Sequence, residues 1–468
     1  MTLPSRLYYL AAIMVLSVTA PTASLAQDIL ITDVRIHTMT ERATIERGWI
    51  LVKGDQIAET GSGDPPDVEG VMRIEGGGGT VIPGLFDMHV HYWDLGEGIM
   101  YLATGITSVR NMGGNLYHVE LDQAAIDGSL AGPRVFTAGP IIDGDEPVRP
   151  DTSVRVSNPD QAIGAVRLNR QAGFYAIKLY EKLSPESFRA AVGEAREQDM
   201  KVYAHTPLSM SVNDLIALGV DSIEHFDGYT DELATEGFEP ESRLYGESER
   251  WSNTDRTRYA AAAEAAATSP TTHQVPTFAF NYGKLYSQNL DGFFARPEAS
   301  LLPAWTEPSW RIGAERWMSG EHPFVQAELD AKIALASAMR EAGVRLLLGT
   351  DAPNPFVIPG YAFHDEIAAF SAAGYSNMEI IRMATRDAAS FLDRADSLGA
   401  IAAGMRADLI LLRADPVFDL AALREPAGVM VAGHWRARAE LDRLLEQRSL
   451  AISTEKAQQA QNLGSSSH

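Results

Sequence analysis

Between residues 81 and 349, short apolar runs alternate with longer stretches of helical periodicity. The runs predict strands at Val81–Val90, Ile106–Arg110, Arg134–Ala138, Tyr175–Leu179, Lys201–Ala204, Ser222–Glu224, Gln274–Phe278 and Val344–Gly349. Helices are expected after most of them, including Pro185–Gln198, Met210–Leu218, Arg258–Ala267 and Val325–Ala342. Repeated strand–helix units imply an α/β fold with a parallel sheet, and eight of them imply a closed (β/α)8 TIM barrel over residues 83–394. The competing arrangement, an open doubly wound sheet, lacks its Gly-x-Gly-x-x-Gly turn after the first strand.

Both ends of the chain have a different texture. Ile29–Thr32, Thr44–Glu46, Trp49–Val52 and Gln56–Thr60 read as short strands, with Gly61, Gly63 and Gly76–Gly79 as punctuation. Ala407–Leu412 and Gly428–Val431 read the same way near the other end. Residues 27–82 and 395–445 are therefore expected to meet in one small β-sandwich domain, leaving 446–468 as a flexible tail. Two connections, Asp227–Asp255 and Asn281–Glu321, are too long for ordinary barrel loops. Both follow strands, so both are expected on the catalytic face. The second carries Tyr282, Tyr286, Phe293, Phe294, Trp305, Trp310 and Trp317, which either wall a pocket or pack a core of their own.

Met1–Ala26 stands apart: one charge, Arg6, an apolar run Leu7–Val18, then a small-residue site at Ser24-Leu25-Ala26. This is the layout of a secretory signal peptide, implying a secreted or periplasmic protein. The alternative is a membrane anchor, but the run is short against the roughly 20 residues a span needs, so no stable membrane insertion is expected. The formal net charge of −23 becomes one unit more negative without Arg6, which argues against nucleic acid as a partner. The chain has no cysteine, so any metal must be held by histidine, carboxylate or modified lysine.

Candidate chemistry sits at the predicted strand ends. His89 and His91 are two apart on the first barrel strand, where alternation points both to one side. Lys178 lies inside the apolar strand Tyr175–Leu179, sharing a face with Ala176 and Tyr180, and a lysine there is costly unless something uses it. His205 ends the fifth strand, His225 the sixth, and Asp351 follows the eighth. Singly, each could be structural, Asp351 as a helix cap for example. Jointly, four histidines, a lysine and an aspartate at converging strand ends could hold two divalent cations with open positions for water.

This pattern resembles the amidohydrolase superfamily, in the branch with a carboxylated lysine and two metals that includes imidazolonepropionase-like amidohydrolases and secreted Xaa-Pro dipeptidases. Val81–His91, Gly105–Gly114, Gly349-Thr350-Asp351 and Gly404–Leu409 carry the resemblance. It implies that His89 and His91 bind the more buried metal, that Lys178 as its carbamate bridges both, and that His205 and His225 bind the second. It implies Asp351 as a ligand of the first metal and proton shuttle, with zinc expected and a metal-poised water as nucleophile. Tyr180 is a candidate oxyanion donor, and His118 and His364 are candidate substrate contacts. His273, His322 and His434 read as structural or surface residues. The superfamily's one-metal deaminases place a glutamate soon after the fifth-strand histidine, whereas here His205 is followed by Thr206-Pro207-Leu208.

The expected activity is hydrolysis of an amide bond in a small-molecule substrate, a dipeptidase or prolidase-like reaction being the leading case. A lactone, cyclic imide or carbamate would be opened by the same centre. A catalytically silent binding barrel would show a missing ligand, and all six positions are filled. Homo-oligomerisation is left open.

Overall fold

The computed structural model describes residues 27–41, 44–238, 246–315, 320 and 322–465. The expected signal peptide and Trp317 lie outside the described residues. Sixteen strands run in chain order as β1 (Ile29–Ile36), β2 (Ile45–Lys53), β3 (Gln56–Ser62), β4 (Met72–Pro83), β5 (Leu85–Val90), β6 (Ile106–Asn111), β7 (Arg134–Thr137), β8 (Ile141–Asp143), β9 (Ser153–Arg155), β10 (Ala176–Leu179), β11 (Lys201–Ala204), β12 (Ser222–Glu224), β13 (His273–Val275), β14 (Leu409–Leu412), β15 (Gly428–Val431) and β16 (His434–Ala437).

Three sheets result. The order β16-β15-β14-β4-β1-β2-β3 draws one seven-stranded sheet from both ends of the chain. Its alternate residues Ile29, Ile31, Ile50 and Val52 pack with Leu409, Leu411 and Met430 in one apolar cluster. The parallel set β5-β6-β7 and the order β13-β12-β11-β10-β8-β9 make the other two sheets. Hydrogen bonds link these two: Gly139 N to Ala176 O directly, and, through the segment 345–352, Gln274 N to Arg345 O, Leu347 N to Gln274 O and Met88 N to Leu348 O. Helices Pro159–Gln171, Pro185–Glu197, Val212–Leu218, Tyr259–Ala267 and Val325–Glu341 alternate with the strands. Proline after an Asn158 or Ser184 cap opens the first two, and Ser211 with Asp214 closes a capping box on the third.

Several expectations are corrected. The run Val81–Val90 divides at Gly84 into β4 and β5, which belong to different sheets; a Cβ there would strike the Thr107 side chain. Gly76–Gly79 are not punctuation between strands but a bulge inside β4, where the register against β1 shifts between Thr32 and Val34 and Gly77 and Gly78 have positive φ. Gln274–Phe278 shortens to β13, because Thr277 turns left-handed (φ 52°) and the helix Phe278–Tyr286 begins. Val344–Gly349 forms only one isolated bridge, Gln274 to Leu346, and a second, Val90 to Ala352, lies just beyond it. The polar tail expected from residue 446 instead continues a helix, Arg438–Ser465. Buried Leu441, the ion pairs Arg436–Glu440 and Arg438–Asp442, and Arg448 on Asp94 hold it down. From the aromatic insertion, Phe293 and Trp310 pack on Phe356, which follows Asp351, with centroids 5.1–6.0 Å apart and as part of the main apolar core, while Trp305 stays exposed.

Candidate metal centre

Strand alternation carries the site. Ala176 and Tyr203 sit in one buried cluster with Phe86, Met88, Val275 and Leu347. Two residues further along the same faces come Lys178 and His205. On β5 the register against β6 shifts between Asp87 and Val90, the kind of irregularity that re-aims side chains. There His89 and His91 turn to Asp351, whose Oδ1 lies 3.3 Å from His89 Nε2 and 3.2 Å from His91 Nε2. Their potential ligand atoms all fall within 4.8 Å of one another, and all three residues are buried.

The supports of this cluster are built into the backbone. Asp351 N donates to His89 O at 2.7 Å and His91 N to Ala352 O at 2.6 Å. The Asp87 carboxylate accepts from Thr350 N at 2.9 Å and Thr350 Oγ1 at 2.6 Å, fixing the residue before Asp351. Burial nonetheless pushes Asp87 up to about 7. Asp351 itself has φ 64°, a strained left-handed geometry typical of functional positions. Burial works against its charge, but His89 and His91 hold the carboxyl well below the usual range. Burial lowers His91 to about 4, so its imidazole is neutral near pH 7.

Behind His89 lies a second layer. Its Nδ1 meets Glu224 Oε2 at 2.7 Å; Glu224 in turn takes Arg110 Nη2 at 3.0 Å and the Ser222 hydroxyl. Burial opposes the Glu224 charge, but Arg110 and Lys178 keep it ionised. An ionised Glu224 makes Nδ1 the donor and leaves the Nε2 lone pair facing Asp351. His225 is arranged likewise: Nδ1 lies 2.7 Å from Thr277 Oγ1, whose hydroxyl donates to Pro276 O. His225 and Phe226 both have positive φ, and burial holds His225 well below the usual histidine range. Its ring is 4.7 Å from those of His89 and His205.

Lys178 is fully buried, with Nζ 5.9 Å from the Tyr180 ring. Burial lowers its amine to about 8. Lys178 Nζ, His89 Nε2 and Asp351 Oδ1 are buried polar atoms with no hydrogen-bond partner among the described residues. A donor set of imidazole nitrogens, a carboxylate oxygen and an amine, unpaired and converging, fits a cation better than it fits a packed core.

The remaining candidates separate. His205 directs Nδ1 to Asp227 Oδ2 at 2.8 Å and Glu181 Oε1 at 3.1 Å, under the Tyr180 ring at 4.1 Å. The guanidinium of exposed Arg149 lies close enough to the Tyr180 hydroxyl for each to shift the other's titration. His118 is taken up locally: Asn115 N donates to its Nδ1 in a capping box and Nε2 meets Tyr92 O at 2.7 Å, so neither ring nitrogen is turned to substrate. His364 is buried on Phe363–Ala372, and burial lowers it to about 3. Glu224, Arg110, Glu181, Asp227 and Arg149 escaped the sequence reading. Glu224 and Arg110 carry the signal that singled out Lys178, a charge inside an apolar strand; Glu181, Asp227 and Arg149 lie beyond strand ends or on a loop, where alternation gives no direction.

A sequence model described as the Amidohydrolase family matches residues 324–436. Ochratoxinase from Aspergillus niger is 24% identical over 413 residues, covering 75% of this chain and 73% of that protein. The structure of a bottromycin amidohydrolase superposes with a TM-score of 0.73 at 24% identity, covering 92% of each chain. A Xaa-Pro dipeptidase with bound methionine in its active site superposes with a TM-score of 0.63 at 22% identity, covering 88% of this chain and all of the other. The family match falls on the segment that supplies Asp351, and the fold is shared with these solved structures.

Proposed function

We propose that the chain is a metal-dependent hydrolase cleaving an amide bond of a small substrate, a dipeptide with a C-terminal proline or hydrophobic residue being the leading case. The observation that carries this reading is the buried cluster of His89, His91 and Asp351, its ligand atoms within 4.8 Å of one another, with His89 Nε2, Asp351 Oδ1 and the buried Lys178 Nζ lacking hydrogen-bond partners among the described residues. Unpaired buried polar atoms each cost about 1–3 kcal/mol, and a bound cation would remove that cost. We read the hydrogen bonds between the parallel sheets as the seams of one closed (β/α)8 barrel, the two-ended sheet as a β-sandwich domain, and Met1–Ala26 as an export signal. Among the described residues no helix is long and apolar enough to cross a membrane.

When bound, two divalent cations, zinc the first expectation, would supply Lewis acidity and a water acidic near neutral pH. His89, His91 and Asp351 would hold the first, and His205 and His225 the second. Lys178 Nζ, neutral in part near pH 8, would add to CO2 with loss of a proton and offer carbamate oxygens to both. Glu224 and Thr277 fix the tautomers of His89 and His225. Asp351 accepts the proton given up as water adds to the carbonyl carbon and passes it to nitrogen as the C–N bond breaks. Tyr180, on the same strand face as Lys178 and beside the Arg149 guanidinium, would donate its O–H to the carbonyl oxygen.

Arg149 suits the free carboxylate of a dipeptide. Asp143 fixes its loop, accepting from Val148 N at 2.8 Å and from Lys182 N at 2.8 Å, which sets Arg149 beside Tyr180. The test is a panel of Xaa-Pro and Xaa-Phe dipeptides and their C-terminal amides, with zinc and bicarbonate present. Free acids should be preferred, and Arg149→Ala should raise their KM roughly tenfold with kcat little changed and the amides unaffected. Equal rates on acids and amides by the wild type would overturn the dipeptidase reading, and turnover confined to lactones or imides would replace it.

A further inference from the structure

Large apolar side chains that stay in solvent gather beside the candidate metal centre. Trp93 is 49% exposed and Trp305 54%, and Leu95 and Tyr117 are exposed with them. All four line one shallow groove of about 640 Å³, together with Arg448 and Ile452 of the helix Arg438–Ser465. Trp93 and Leu95 follow β5, Tyr117 follows β6 and Trp305 lies in the insertion after β13. The groove reaches the metal cluster itself, because the Trp93 ring stacks on that of His91, 6.1 Å between centroids and 11° from parallel. The chain clamps this loop on both sides of Trp93. Tyr92 N donates to Asn111 Oδ1 at 2.9 Å, and Tyr92 O meets His118 Nε2 at 2.7 Å. Asp94 accepts from Arg448 Nη2 at 2.8 Å and from Gly96 N at 3.0 Å. A contiguous apolar patch left in water marks a binding surface, and one held rigid binds without a further ordering cost.

We propose that Trp93, Tyr117 and Trp305 form an aromatic subsite that selects a substrate with an aromatic or large apolar side chain on the acyl side of the scissile amide. The inference rests on the amide-hydrolase reading above and adds a substrate class to it. Continuity with His91 names the occupant as a group attached to the reacting bond. Arg149, assigned to the substrate carboxylate, comes from the loop after β8, whereas Trp93 and Tyr117 come from those after β5 and β6. With the carboxylate at Arg149, the groove is left to the acyl residue. Rings offer such a side chain stacked and edge-on contacts beyond plain area burial. Arg448 is a positioning residue here: it holds Asp94 and so fixes the neighbouring indole.

The test compares kcat/KM for Phe-Pro and Ala-Pro in the zinc-loaded wild type, Trp93→Ala and Trp305→Ala. The wild type should favour Phe-Pro by roughly tenfold or more. Each variant should lower that ratio by roughly tenfold, with KM carrying the change. A ratio cancels any loss common to both substrates, including a disturbed His91. Equal kcat/KM for the two dipeptides in the wild type, or a preference that survives both substitutions, would overturn the subsite. A preference that survives while both variants sediment as a smaller species would overturn it in favour of a contact between copies of the chain. If neither dipeptide is cleaved, the dipeptidase reading fails and binding decides the subsite. Saturation-transfer NMR then uses N-acetyl-L-phenylalaninamide and N-acetyl-L-alaninamide as probes. Binding of the phenyl probe over the alanyl one, lost in Trp93→Ala and Trp305→Ala, upholds the subsite; binding of neither, or of both alike, overturns it.

Discussion

Two regions of the molecule bury lysines in opposite ways. Around Glu247 and Glu328, Lys284 and Lys332 are almost wholly enclosed, and every charge has a partner. Lys284 Nζ lies 3.2 Å from Glu247 and 2.9 Å from Glu328, and Lys332 Nζ lies 2.9 Å from both. There Glu247 and Glu328 outweigh burial and raise the Lys332 amine above its ordinary value. Lys178 is equally buried but has no hydrogen-bond partner, and its amine falls to about 8. Burial therefore does not distinguish a working lysine from a structural one; the missing partner does. The first arrangement pairs its buried charge, and the second leaves a buried amine unpaired.

Exchange of each lysine for methionine should separate the two regions most sharply. Lys332→Met leaves two buried carboxylates under-compensated and should cost about 3–5 kcal/mol in denaturant unfolding, with bound metal unchanged. Lys178→Met should leave metal-free stability equal or higher, while bound zinc and turnover fall by about a hundredfold or more, as measured by elemental analysis and kinetics. Equal destabilisation by both would erase the contrast. A smaller effect is expected at Glu224, the carboxylate shared between Arg110 and His89. Glu224→Gln should weaken zinc binding by about 10–100-fold, because the amide can no longer fix the His89 tautomer.

The smallest effect is one of pH. An amine lowered from 10.5 to about 8 binds its proton more weakly in the folded than in the unfolded chain. The metal-free fold should therefore lose stability as pH falls from about 10.5 to about 8, the penalty staying constant below that window. The stability difference between wild type and Lys178→Met should follow this course, in favour of the variant at lower pH. A difference independent of pH would mean the amine has a partner after all.

Much of this was legible before any coordinates. His89, His91 and Lys178 were identifiable because strand alternation gives a direction, and a polar residue on an inward face stands out against an apolar background. Glu224 carries the same mark, a buried charge within a strand one residue before His225. Glu181 and Asp227 could not be read this way, since they lie past the strands, where the backbone no longer alternates. The eighth strand was expected over Val344–Gly349, but the segment keeps only one isolated bridge. The split at Gly84 was hidden because β4 and β5 form one apolar run while serving different sheets. The helix after Arg438 was missed because its stabilising contacts, Arg448 on Asp94 and on Leu301 O, come from distant parts of the chain.

The two-ended sheet bears on how the protein is made. β4 lies between β1 and β14, so Val81 and Ile82 wait for Leu411 and Ile410 before their open side is paired. During synthesis nearly the whole catalytic region leaves the ribosome before the strand that completes this sheet. Until then β4 offers an apolar free edge to any neighbouring nascent chain. A message broken before the Leu409 codon should yield not a weaker enzyme but an insoluble one, its metal ligands all present and its sheet unfinished.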